Sequence, residues 1–254
     1  YCQKWKLKLN TVKSQIVVFK RGNNPVKHQW HFGEHELKAT NIIPYLGILF
    51  SSNGSFYQAQ KKLSEQAGKA LFSLRKKLGR FQNEKPSFLL DMFDKFIVPI
   101  LNYACEIWVF HKSPDIERIH LKFCKQILGV RKTCQNDFVY NELGRYPMVL
   151  YRESRIVKYW LNIVHGNKSA YVNSLYQSSV TSMDVTNTAS WARSVKSLLF
   201  THGFGDVWLN QGVGDTETFL RVFRERIFDG YKQNIRASIN VSIRARFYSA
   251  VRLE

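Results

Sequence analysis

Apolar residues change their spacing along this chain near residue 55. Before that point, short β-branched and aromatic runs alternate with turn residues. Ile16-Val17-Val18-Phe19, ended by Lys20-Arg21-Gly22-Asn23-Asn24-Pro25, predicts a buried strand and a turn. Val26 to Phe32 and Glu36 to Ala39 predict two further strands around Gly33-Glu34. Tyr45 to Phe50 then completes a small antiparallel sheet, with Pro44 at the strand start where its missing N–H costs least. Trp5, Leu7 and Leu9, set among Lys4, Lys6 and Lys8, predict a short alternating segment or a helix end.

From Phe56 onward the period is helical. Leu63, Ala67, Ala70, Leu71, Leu74 and Leu78 form one stripe, predicting an amphipathic helix stopped by Gly79. Pro86 opens a helix that is apolar almost all round, from Phe88 to Trp108, which predicts a central core helix kinked at Pro99. Ser113-Pro114 is an N-cap and first-turn pair for a helix ending at Gly129. Thr133 is expected to cap a short helix through Leu143, and Pro147 to introduce a longer one stopping at His165-Gly166. Residues 167–188, rich in Ser, Thr and Asn, read as a mobile connection anchored by Leu175 and Tyr176. Trp191 to Phe200 and Asp215 to Phe228 predict two more helices, the second with Arg221, Arg224 and Arg226 exposed. Ile239, Val241 and Ile243 alternate with polar residues, as in a strand or extended segment, before a return to helix over Arg244 to Arg252. The expected fold is mainly α with a small N-terminal antiparallel β-sheet.

Charge adds a partner to this picture. A formal net charge of +19 is distributed along all 254 residues, the electrostatic footprint of a polyanion binder, nucleic acid before membrane. The bland alternative is a basic helical protein without a nucleic-acid role. The longest apolar stretch, Phe88 to Phe110, holds Asp91, Asp94, Lys95, Asn102 and Glu106, too many polar groups to cross a bilayer. On the first helix Lys62, Lys69 and Lys76 recur every seven residues, Arg80 continues the line, and Lys61, Arg75 and Lys77 flank it. Only Glu65 interrupts. A solvated helix face normally mixes signs, so a face of one sign repels itself unless phosphates neutralise it. Lys122 and Lys125 point outward from a later helix, and Arg131 and Lys132 follow it.

Other candidate chemistry is thin. Cys2, Cys105, Cys124 and Cys134 form no C-x-x-C pair, which suggests buried thiols in a reduced compartment and argues against a structural zinc site. His28, His31 and His35 read as surface imidazoles, because residues 28 and 31 of a hairpin face opposite ways. Asp91 and Asp94 share a helix face but lack a third acid, weak grounds for a metal site.

Several stretches taken together resemble the C-terminal palm, thumb and downstream region of reverse transcriptases from non-LTR (LINE-type, jockey-like) retrotransposons. Trp5-Lys6-Leu7-Lys8-Leu9-Asn10 followed by Lys13-Ser14 and an apolar strand is similar to their fourth palm motif, and Tyr45-Leu46-Gly47 to the primer grip. Pro99 to Trp108, Ile119-His120 with Phe123, Leu128-Gly129-Val130 and Glu142-Leu143-Gly144 resemble thumb and post-thumb segments. The match extends over residues 1 to about 165, and less closely beyond. It implies a palm end at 1–55 carrying the primer-grip hairpin, a helical thumb at 56–145 and a post-thumb helical region at 146–254.

The resemblance also implies roles. Lys13 would protonate or neutralise the departing pyrophosphate, although Ser14 stands where the family usually has threonine. Tyr45, Leu46 and Gly47 would hold the primer end. Lys62, Lys69, Arg75, Lys76, Lys77, Arg80, Lys122, Lys125, Arg131 and Lys132 would contact nucleic acid. Partners would be an RNA template with a DNA primer, and the upstream palm and fingers of the same polypeptide, with no membrane; the setting would be cytoplasm and nucleus. No aromatic-x-Asp-Asp sequence occurs between Tyr1 and Glu254. The Mg2+ expected in a complete polymerase would therefore be held upstream, with no metal or cofactor held here. A chain that starts at Tyr1 without methionine reads as a piece of something longer, inactive by itself. A non-catalytic RNA-binding or scaffold remnant of such an element is the alternative.

Overall fold

The computed structural model describes every residue except 3, 21–27, 79–83, 109, 111–112, 167–168, 186–189 and 242–254. The turn expected over 21–25, the stop at Gly79, Arg80, Ile243 and the helix over Arg244 to Arg252 lie outside the described residues.

The protein is mainly helical, with a small N-terminal β part ahead of a helical bundle. Among the described residues, five short strands form two sheets. β1 (Gln15–Ile16) runs parallel to β3 (His35–Ala39), and β2 (Trp30–Phe32) pairs antiparallel with β3 around Gly33-Glu34. The run after Ile16 does not make a buried strand. Ladder pairing stops at Ile16, Val17 and Val18 are half-buried, and Phe19 is exposed. Trp5 to Leu9 forms neither strand nor helix but opens on turns, with the Trp5 N–H on the Tyr1 carbonyl at 3.1 Å.

The second sheet is a hairpin of β4 (Ile42–Tyr45) and β5 (Ile48–Ser51), so Tyr45 to Phe50 is two strands and a turn. Leu46 and Gly47 are its two-residue loop, at φ 46° and 87°. Positive φ at both loop positions suits the twist of a tight hairpin. Pro44 lies inside β4 opposite Leu49, one pair from the closing pair Tyr45–Ile48. The pair next to the closing one exchanges no backbone hydrogen bonds, so proline loses nothing there.

The helices begin with α1 (Tyr57–Lys77), whose Leu63, Ala67 and Leu71 are buried. The predicted Phe88–Trp108 helix is instead three: α2 (Pro86–Phe96), α3 (Val98–Leu101) and α4 (Cys105–Trp108). Pro99 breaks the helix by sitting in the first turn of α3, where no intrahelical N–H is needed, and Ala104 at φ 50° separates α3 from α4. Nor is this segment apolar-buried all round. Leu89, Phe93, Ile97, Leu101 and Cys105 are buried, whereas Phe88, Phe96, Tyr103 and Ile107 are exposed.

α5 (Pro114–Ile127) starts at Ser113, but that hydroxyl accepts from Arg152 at 2.7 Å and does not cap the helix. α6 (Asn136–Leu143) is preceded by Gln135, not by Thr133, and closes on left-handed Gly144. α7 (Met148–Val164) follows Pro147 and stops at His165-Gly166.

The expected mobile connection is a helix, α8 (Ala170–Val185). Its Ser178, Thr181 and Ser182 hydroxyls donate to carbonyls one turn back at 2.7–3.0 Å, which satisfies them without breaking the helix. Tyr176 anchors it inward; Leu175 is exposed. α9 (Trp191–Thr201) is capped by Ser190, α10 (Gly205–Leu209) is short, and α11 (Thr216–Val241) continues through the segment expected to be extended. Ile227, Ile235 and Ile239 are buried on a four-residue step that keeps α11 helical.

Two cores result. One gathers α1, α2, α3, α5 and Ile48 of β5 around Phe93, Leu101 and Phe123. The other gathers α7 to α11 around Trp160, Leu199 and Phe223. α7 serves both, since Met148 belongs to the first and Ile156 and Trp160 to the second.

Candidate nucleic-acid interface

Three structural units carry the residues singled out by sequence: the turn before β1, the tip of the β4–β5 hairpin, and the outer faces of α1 and α5. Lys13 is exposed and closes a turn, its N–H on the Asn10 side chain at 3.1 Å. Among the described residues no hydrogen bond or ion pair joins Lys13 to the hairpin tip.

The tip itself is presented outward. Tyr45 is 63% exposed and Leu46 75%, while Ile48 behind them is buried in the first core. The Tyr45 ring rests edge-on against Phe50, and Phe50 against Phe56. Tyr103, from the α3–α4 turn, holds the tip from the other side: its hydroxyl donates to the Leu46 carbonyl at 2.8 Å. A Cβ added at Gly47 would meet the Tyr103 ring at 3.3 Å, so glycine there serves both its positive φ and this close approach.

Tyr103, itself exposed, joins a polar lattice that is partly buried. The Trp108 indole donates to the Tyr103 carbonyl at 3.0 Å, and the Arg152 guanidinium lies 5.3 Å from the Trp108 ring. Arg155 donates to the Asn102 carbonyl at 3.2 Å and to Glu106, and the Trp191 indole donates to the Glu106 carbonyl at 2.8 Å. The segment Asn102 to Trp108 thereby ties the hairpin tip to α7 and α9. Sequence reasoning did not single out Tyr103, Arg152 or Arg155; the only signal was the interruption of an apolar run by Asn102-Tyr103.

On α1 the inner stripe fixes which cations face outward. Lys61, Lys69, Lys76 and Lys77 are exposed, and Lys62 is half-buried. None of these five makes an ion pair among the described residues. Lys62, Lys69 and Lys76 stand about 10 Å apart along the axis, from the rise per residue. Arg75 is half-buried and engaged within the fold.

α5 packs on α1 where Gly68 comes near Ile119. Lys122 on α5 is exposed, as are Arg131 and Lys132 after it. Lys125 is not a free cation: its ammonium donates to the Lys132 carbonyl at 2.8 Å and closes the turn beyond α5. The structure thus joins the α1 and α5 cations on one packed unit, and among the described residues no hydrogen bond or ion pair links them to Lys13.

On α2, the acids are committed to partners within the fold. Asp94 receives both terminal nitrogens of Arg145, at 2.7 and 2.5 Å, and Asp91 pairs with Lys95. These carboxylates face cations, which does not suit a metal, and no His, Cys, Asp and Glu group that could hold an ion occurs among the described residues.

Glu117 accepts from the Tyr140 hydroxyl and from the Met148 N–H, and lies 3.5 Å from the His120 ring. Burial pushes its carboxyl up, but His120 and Tyr140 together outweigh that and hold it below the usual range. Burial likewise depresses His120 and pushes the Cys105 and Cys124 thiols up to about 12, so these groups are neutral structural members of the core. The arrangement can bind and orient a polyanion through α1 and α5; it contains no nucleophile–base pair at the surface just described. No family model, no curated protein and no solved structure matches this chain.

Proposed function

We propose that this chain is the palm end, thumb and downstream helical region of an RNA-directed DNA polymerase, and that α1 holds the backbone of the primer–template duplex. The observation that carries the reading is the outer face of α1. Lys61, Lys69, Lys76 and Lys77 are exposed without an ion-pair partner among the described residues, on a helix whose other face is buried. Ammonium groups about 10 Å apart along a rigid helix suit phosphates of a duplex and read no base.

Two further features support it. The β4–β5 tip offers backbone and an aromatic ring, held from behind by Tyr103, to a primer end. Exposed Trp5, Leu7, Phe19 and Phe32 on the β part are surface that the rest of a palm would cover. Metal-ion chemistry would come from upstream acids. Lys13 would add a cation near the leaving pyrophosphate, and the residues here would position the duplex.

The test is duplex binding across a salt series. K69E/K76E weakens binding of an RNA–DNA hybrid and flattens the dependence of log affinity on log salt by about 2, close to 0.9 per lost phosphate contact. An unchanged slope sinks the assignment.

A further inference from the structure

A cleft of about 600 Å3 lies between α7 and α11, with Asn102 and Asp94 at one side and no α1 residue in its lining. Most of its charged lining is committed. Arg145 pairs with Asp94, Arg155 with Glu106 and Lys158 with Glu217. Arg221 and Arg224, one turn apart on α11, have no ion pair among the described residues, against one uncommitted carboxylate in the lining, Glu225. At the α7 side, Ser154 is 5% exposed, and its Oγ is closed off from solvent with no hydrogen-bond partner among the described residues. Tyr151 and Phe228 supply aromatic surface, their ring centroids 5.3 Å apart.

We infer that this cleft binds one unpaired nucleotide of a single-stranded RNA. Arg221 and Arg224 meet the flanking phosphates, and the base packs on Phe228 and Tyr151. The volume falls within the range of small-ligand sites and exceeds what a bare phosphate would need. Arginine forks suit phosphate, and an aromatic platform accepts any base. A duplex cannot enter, because its bases are stacked inward. The site is separate from α1 and rests on its own residues.

Anisotropy with a labelled oligouridylate of twelve nucleotides, and with an RNA–DNA hybrid of equal length, tests it on the full chain. R221Q/R224Q, both at exposed positions, lowers single-strand affinity about tenfold or more, as expected for lost charged hydrogen bonds, and flattens its salt slope by about 1. Hybrid binding stays within about twofold of wild type. F228L keeps apolar volume, lowers single-strand affinity and leaves the salt slope as it was. Single-strand affinity unchanged in R221Q/R224Q overturns the inference. So does an equal loss for both probes, which would mean a diffuse basic surface. Uridine monophosphate competing as well as the oligonucleotide would also overturn it, in favour of a free-nucleotide site. Failure of the duplex assignment shows instead in K69E/K76E, so the two fail separately.

Discussion

Residues 1–47 and the helices from Tyr57 onward place their apolar side chains in opposite ways. No described residue before Ile48 is buried, and Trp5, Phe19 and Tyr45 are each about 60% exposed. Trp108 and Trp160, by contrast, are fully buried. The difference is one of layers. The three-stranded sheet has no second layer to close on among the described residues, and the two-stranded one meets the helices only along β5, whereas amphipathic helices bury one another's stripes. The hairpin tip borrows its order from the helical side through Tyr103.

The largest effect that would break this comparison is the loss of a tryptophan. Trp160 stacks on Trp208 at 5.7 Å, and its indole donates to the Tyr176 hydroxyl at 2.8 Å. Trp160→Ala should cost about 3–5 kcal/mol in urea unfolding. Trp5→Ala and Phe19→Ala should stay within about 0.5 kcal/mol, as surface changes do. Equal losses from both sets would mean that the β part has a hidden core.

What could be read in the sequence follows the same division. The α1 stripe and its outward lysines, the β2–β3 turn and the Pro147 entry to α7 were legible, because each depends on residues within a turn or two. The hold of Tyr103 on the hairpin was not, since it joins groups 57 residues apart. α8 was missed because its many hydroxyls look like loop chemistry, although they bond back to their own helix. The end of α11 was misread by taking Ile239, Val241 and Ile243 as a period of two; Ile227, Ile235 and Ile239 already ran on a step of four. Ser113 before Pro114 has the local pattern of a cap, but a distant arginine, Arg152, claims its hydroxyl. Short-range pattern survived; assignments that hinged on a remote partner did not.

Within the helical side, Glu153 offers a pH-dependent probe of how tightly the layers close. Burial pushes its carboxyl up to about 7, and His202 at 3.8 Å is too far to hydrogen-bond it. The fold therefore prefers the protonated acid. Its stabilising share is full below about pH 4.5, the unfolded value, and is lost as pH rises through 7. The shift corresponds to roughly 3 kcal/mol at about 1.4 kcal/mol per unit. Glu153→Gln should match wild type at pH 4.5 and exceed it by up to roughly that amount at pH 8 in urea midpoints. A constant difference across the range would show that Glu153 does not titrate in this window.

The smallest effect bears on the join between the two regions. Tyr103→Phe removes only the hydroxyl that donates to the Leu46 carbonyl and keeps the ring beside Gly47. A neutral hydrogen bond is worth about 1 kcal/mol, so the hairpin should open about fivefold more often. Amide exchange is the measurement, because opening of the tip need not unfold the helices. The ladder amides of β4 and β5 should lose about fivefold in protection while those of α7 keep theirs. If the hairpin amides are as protected in the variant as in wild type, the tip is ordered by its own Leu46-Gly47 turn. If α7 amides lose protection too, Tyr103 is part of the global core, and the division drawn at residue 47 fails.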